Sequence, residues 1–337
     1  MTIVALDANV WLKERLLRSG MGAALLWAIK NTDSVLLLSD VTQCEIMNGV
    51  VKEIQEAAEE IEAGLSTIRA FIGKSQEVTI PSPEEVYKSV NGRLVDIGTI
   101  LKVDNHKSEH LESALQRVLN HLPPAHKKEE FRDCMIWEMC LDIARRTRED
   151  LILITADAAF YHKDKFENGM AYPLREDLKR FEANIQLYHN IGAYLETIQE
   201  KIPKPDVKLV TSAIDEQVIN TVKASVQDSS YSEIEICDSK IDVFLTEAFE
   251  ILAISFKLKY KISDLELKEG IVLSEAYGIA EGSATLNTKS NIIKNLQMTA
   301  YRIESADGQI LRQSGYVYGS GGIVGTRYIP YTLRRAI

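Results

Sequence analysis

Apolar residues in the first 200 positions fall in short unbroken runs separated by amphipathic stretches. TIVALD at the start is one such run, and SVLLLS, DLILIT and NIQLYH repeat it further along. Runs this short, without polar alternation, predict strands buried on both faces. Between them VWLKERLLRSG, GAALLWAIKN, the stretch from Val41 to Phe71 and IGAYLETIQEKI carry the three-to-four spacing of helices. Strand and helix in alternation predict an α/β fold, with a parallel sheet flanked by helices. Residues 73–128 are charged and mostly helical in pattern, with PSPEE near their start and HLPPAHKK at their end, and read as a helical insertion or cap.

Beyond Lys201 the pattern changes. KIPKPDVK holds two prolines and no periodicity, which predicts a linker, and a helix from about Ser212 to Val226 follows. ISFKLKYKIS then alternates strictly. Ile254, Phe256, Leu258, Tyr260 and Ile262 fall on one face, and Lys257, Lys259 and Lys261 on the other. QMTAYRIESADGQILRQSGYVY reads as a hairpin turning at Asp307-Gly308. The expected organisation is an α/β domain over 1–202 with its insertion at about 73–128, a linker and helix over 203–229, and a C-terminal mainly-β domain over 230–337, built as an antiparallel sheet or sandwich.

Composition narrows the class. With 45% hydrophobic and 26% charged residues the chain reads as an ordinary globular protein. Asp7 interrupts the apolar N-terminus and no charged leader precedes it, so no signal peptide is expected. No run approaches a membrane span. The four cysteines, at 44, 134, 140 and 237, lack metal or disulfide spacing and read as reduced core residues. The expected location is cytoplasmic, with no membrane partner. Of the net charge of −10, residues 1–200 carry −9, which argues against tight, indiscriminate nucleic-acid binding. A metal site built from carboxylates remains compatible, because its cations supply the attraction to phosphate.

One acid is out of place. EEFRDCMIWEMCLDIARR, residues 129–146, reads as a helix apolar on almost every side. At 100° per residue, Glu138, Asp142 and Arg145 mark its wet face, while Asp133 falls on the opposite stripe with Trp137, Cys140 and Ala144. An unpaired buried carboxylate costs several kcal/mol or protonates. Three further acids stand where α/β proteins place chemistry. Asp7 ends the first strand, Glu45 begins the helix after the second, and Asp157 follows the strand DLILIT. Converging carboxylates repel unless cations lie between them, and oxygen ligands alone favour Mg2+ or Mn2+. Each acid also has a bland account: Asp7 and Asp157 as N-caps, Glu45 as part of a Thr42-x-x-Glu45 capping box, Asp133 in a buried pair with Arg132 or a lysine.

The segments IVALDANVWL, SDVTQCEI, EFRDCMIWE and LILITADAAFY resemble the four acidic motifs of the PIN-domain nucleases, in order and in element context. The resemblance covers about residues 1–200. It implies that Asp7, Glu45, Asp133 and Asp157 hold one or two divalent cations and act as the catalytic set, with Asn9 and Thr155 in support. It further implies an endonuclease cleaving single-stranded RNA, or in some members structured DNA, by water attack on phosphorus, with no histidine base. Lys163 and Lys165, and Arg145, Arg146 and Arg148, then offer phosphate contacts or a solvated helix end. The gap of about 87 residues between Glu45 and Asp133 is longer than in compact PIN toxins, and implies a cap over the cleft or an element for homo-oligomer formation. A toxin or defence role would suit the domain arrangement. Two other readings stay open: a catalytically silent binding or scaffold protein acting through its β domain, and a structure-specific DNA nuclease.

Three weaker signals point nowhere firm. His106 and His110 are one turn apart, with His121 and His126 beyond, but no cysteine joins them and exposed histidines are the default. GSGGIVG at 319–325 lacks the lysine of a phosphate loop. The lysines of KLKYK could meet nucleic acid, but a wet sheet face is the commoner meaning.

Overall fold

Two sheets of five strands make up the computed structural model, which describes residues 1–198 apart from 33, 75–77 and 128–129, then 214, 218–220 and 223, and 230–318 apart from 249, 267–271, 291 and 309. The chain separates into two compact units. One comprises Met1–Arg18 with Ala28–Tyr194, the other Ser19–Trp27 with Leu195–Ile337. Most of the expected linker and helix at 203–229, and the glycine-rich 319–325, lie outside the described residues.

The first unit runs β1 (Thr2–Leu6), α1 (Ala8–Lys13), β2 (Ser34–Ser39), α3 (Asp40–Ile72), α4 (Pro83–Ile97), β3 (Leu101–Asp104), α5 (Ser108–Leu119), α6 (Phe131–Thr147), β4 (Asp150–Ile154), α7 (Tyr172–Phe181) and β5 (Ile185–Tyr188). Helix α2 (Gly20–Asn31) is divided between the units, and α8 spans Ile191–Ile198. All strands of this sheet are parallel, in the order β3-β2-β1-β4-β5. The chain moves outward from β1 through β2 and β3, then restarts on the other side of β1 with β4. The carboxyl ends of β1 and β4 therefore flank the crevice where an open parallel sheet reverses its winding, the usual place for a ligand. Val4, Leu36, Leu38, Leu151 and Leu153 are fully buried in the sheet, as their unbroken apolar runs predict.

Two elements differ from the sequence reading. The helix expected over Val10–Gly20 stops at Lys13, because Arg15, Leu16 and Leu17 take left-handed φ values of 50°, 56° and 59°. Leu16 and Leu17 are still buried, and their carbonyls accept hydrogen bonds of 2.9 Å from Arg93 Nε and Nη2 on α4. A partner more than 70 residues away leaves no mark on local periodicity. The segment 73–128, read as helical, also supplies β3, whose four residues LKVD pair with β2 at the sheet edge. Lys102 and Val103 are exposed there, so the strand carries no apolar run.

Helix α3 starts at Asp40 under the cap of Ser39, whose Oγ accepts from Thr42 N at 2.9 Å, and ends at left-handed Gly73. The capping box read at Thr42 and Glu45 is displaced by this earlier start.

In the second unit β6 (Glu233–Leu245), β7 (Ile251–Glu266), β8 (Val272–Asn287), β9 (Ile292–Ser305) and β10 (Ile310–Tyr318) form one antiparallel meander rather than a sandwich. Ile254, Phe256, Leu258, Tyr260 and Ile262 lie in its buried face, as the alternation predicts. The hairpin turns at Gly308, with φ 84° and its N–H donating to Ser305 O at 2.9 Å. On the other face Lys257 pairs with Glu281 at 2.7 Å, Lys261 with Glu275 at 3.4 Å, and Lys259 Nζ sits 4.0 Å from the Tyr277 ring centre. These are cross-strand pairs that stabilise the sheet itself.

Candidate metal centre

Asp7 follows β1 directly, and Thr155 follows β4 directly. Leu6 and Ile154 are registered neighbours, and Asp7 N donates to Ile154 O at 3.0 Å, so the two strand ends are locked together. Thr155, fully buried, donates its hydroxyl to Asp7 Oδ2 at 3.0 Å and accepts from Asp157 N at 3.1 Å. Tyr161 Oη anchors the same turn by donating to Thr155 O at 2.9 Å. Asp7 occupies the N-cap position of α1 but makes no side-chain cap bond. Asp157 does cap the next tight turn, accepting from Ala159 N through Oδ1 at 2.7 Å. The bland account is therefore half right for Asp157 and fails for Asp7.

Helix α6 brings Asp133 to this rim in its first turn. Carboxylate oxygens of Asp133, Asp157 and Glu130 all lie within 4.8 Å of one another. Glu130, at the N-cap position of α6, was missed by sequence reasoning. Its signal was the spacing of three to Asp133, which puts both carboxylates on one side of the helix start. Burial, then the negative charges of Asp7 and Asp157, push Asp133 up to about 8. Asp7, only 3% exposed, is pushed up to about 6, chiefly by burial and then by Glu45 and Asp157, against the opposing hydrogen bond from Thr155.

Glu45 is close enough to act on Asp7 electrostatically but lies outside the group of three. Its Oε1 accepts from Arg132 Nη1 at 3.0 Å. The arginine proposed as a partner for Asp133 thus pairs with Glu45, and Asp133 faces acids. Asn9 is exposed on α1, two residues from Asp7, and Lys163 and Lys165 are exposed in the loop beyond Asp157.

The remaining cations and histidines have other places. Arg145 pairs with Asp142 at 3.1 Å and Arg146 with Asp104 at 2.7 Å, about 18 Å along α6 from Asp133. The face holding Glu138 and Asp142 is not the wet one. Arg117 of α5, itself buried, pairs with Glu138 and with Asp177 of α7, while Lys107 and Arg145 surround Asp142. His106 Nδ1 meets Asp40 at 2.6 Å, and His126 meets Asp164 at 3.0 Å. His110 is buried rather than exposed, and its Nδ1 accepts from Lys107 N at 3.1 Å. No zinc grouping of histidines forms among the described residues. Among them, too, no helix is long and apolar enough to cross a membrane.

Three mutually repelling oxygen donors beside a buried fourth acid fit a hard divalent cation and offer nothing to a soft one. The family model of the PIN domain matches residues 4–160, a span holding all of these acids, and the C-terminal region beyond it matches no family model. No curated protein matches the chain.

Proposed function

Residues 4–160 being a PIN domain, a fold whose members are in general nucleases, we propose that this chain is a metal-dependent endonuclease hydrolysing phosphodiester bonds of single-stranded RNA. Asp7, Glu130, Asp133 and Asp157 would hold Mg2+ or Mn2+, with Glu45 joining once Arg132 moves aside. A bound divalent cation supplies a more acidic water and neutralises charge building on the phosphate. The chain's own residues do the positioning. Thr155 fixes the Asp7 carboxylate and the turn carrying Asp157, and Tyr161 fixes Thr155, while Asn9, exposed on α1, would support the site. Lys163 and Lys165, exposed in the loop beyond Asp157, would meet the backbone of the substrate. A defence or toxin role and a cytoplasmic setting belong to the same reading.

One observation carries it: an aspartate on an apolar helix faces other carboxylates, an arrangement that repels itself until a cation enters. The test is cleavage of an end-labelled single-stranded RNA in Mn2+, expected for wild type and lost in Asp133→Asn. Branched DNA cut in preference to linear RNA would make it a structure-specific DNA nuclease. The ion pair between Glu45 and Arg132 favours a second reading, a silent binding protein, and equal inertness of wild type and mutant in both metals would support that.

A further inference from the structure

Helix α3 is 33 residues long, and none of its side chains beyond Ile46 is fully buried. Its last three turns present Ile61 at 44%, Ile68 at 46%, Phe71 at 87% and Ile72 at 75% exposure. These residues are not scattered. From Ile54 the apolar positions run Ala58, Ile61, Leu65, Ile68 and Ile72, alternating steps of four and three. That is the seven-residue repeat of a helix-to-helix seam, with Ala58, Leu65 and Ile72 at one core position and Ile54, Ile61 and Ile68 at the other. Helix propensity alone does not hold such a stretch in water, least of all one carrying Gly64 and Thr67. Something packs on it.

We propose that the occupant is a second copy of this chain, its α3 lying antiparallel along the same seam. Size and charge both favour this partner. Phe71 flanks the seam beside Ile72, and its exposed surface with that of Ile61, Ile68 and Ile72 comes to about 500 Å² per copy, so a pair reaches the roughly 1,000 Å² that a specific interface has to clear. The seam also answers itself electrostatically. Glu62 and Arg69 occupy the same flanking position one repeat apart and bond within the chain at 3.0 Å. With Ile61 facing the second copy's Ile72, and Leu65 its Ile68, Glu62 meets the other Arg69 and Arg69 the other Glu62. A parallel pair would set these residues against Ala57 and Gly64 instead, with no charge answered. Neither the seam nor its charges involve the acids at the sheet edge, so this inference stands apart from the nuclease reading.

The experiment measures the mass of the full chain by sedimentation or light scattering across the micromolar range. Wild type is expected at twice the chain mass, and Ile61→Glu with Ile68→Glu at the single mass with helical circular dichroism retained. Glu62→Arg and Arg69→Glu, each alone, should raise the dissociation constant about tenfold or more, because every cross-pair becomes repulsive. Mixed in equal amounts they should re-form a dimer, since each chain then carries the charge the other needs. Repair of the bond within one chain has no such effect on mixing. A wild type that stays monomeric at high micromolar concentration overturns the proposal. So does a dimer indifferent to the isoleucine changes, or a monomer with slow hydrogen exchange over 61–72, which would mean the seam is covered from within the chain.

Discussion

Replacing Asp133 by asparagine should stabilise the metal-free protein, although it alters a residue placed at the heart of the site. Asp133 rises from 3.8 to about 8 in the folded chain. Each factor of ten in proton affinity is worth about 1.4 kcal/mol. The raised value means that Asp133 leaves stability intact below about pH 4 and erodes it as pH climbs towards 8. At pH 7 the ceiling of that cost is about 4 kcal/mol. Local relaxation and water entry halve it, to about 2 kcal/mol. Asparagine keeps the shape and never ionises, so the variant should melt about 4–8 °C above wild type at pH 7 in the presence of a chelator. The gap should close near pH 4 and widen towards pH 8. Adding millimolar Mn2+ should reverse the order, since only wild type gains the full binding energy. Scanning calorimetry at several pH values, with and without metal, measures all of this. A chelated variant melting below wild type at pH 7 would refute the reasoning and make Asp133 one half of a structural pair.

Four further outcomes follow from other contacts. Thr155→Val removes the hydroxyl that favours the ionised form of Asp7, and should cost about 1–3 kcal/mol, more at pH 8 than at pH 5, as read from denaturant midpoints; an equal loss at both would place the effect in packing alone. Arg132→Ala frees Glu45 and should tighten Mn2+ binding about two- to fivefold by titration calorimetry; weaker binding would make Arg132 an organiser of the site. Mn2+ binding near pH 6–7 should release protons from Asp7 and Asp133, seen as a dependence of the measured heat on the buffer's ionisation enthalpy, and no dependence would count against both raised values. Gly282→Ala drives a methyl into Gln297 O and to 2.6 Å from the Phe256 ring at a register shift, and should lower stability by about 2 kcal/mol or more; an unchanged urea midpoint would show that the strand yields.

The division between what the chain announces and what folding decides can be traced residue by residue. Short apolar runs bounded by helical spacing mark β1, β2 and β4, because burial on both faces leaves no polar alternation, while β5 at the sheet edge keeps an exposed Gln186 among its apolar residues. The strict alternation of β7 and the Asp-Gly turn before β10 are equally local. Asp133 shows itself by standing on an apolar stripe, and Asp7 and Asp157 by following closely on strands. The repeat along α3 is likewise written in its spacing. Only the tertiary structure decides the rest, since it depends on groups far apart in the chain. β3 exists as a strand because β2 offers it an edge. Leu16 and Leu17 leave the helix because Arg93 takes their carbonyls. Glu45 faces Arg132 across 87 residues, so its charge is answered there rather than in the group of three. Glu130 joins that group because the start of α6 carries it to the end of β4. Periodicity reports which side of an element is buried, a property of neighbours in sequence. Which carboxylates meet is set by strand order and helix docking, which bring distant residues within a few ångströms.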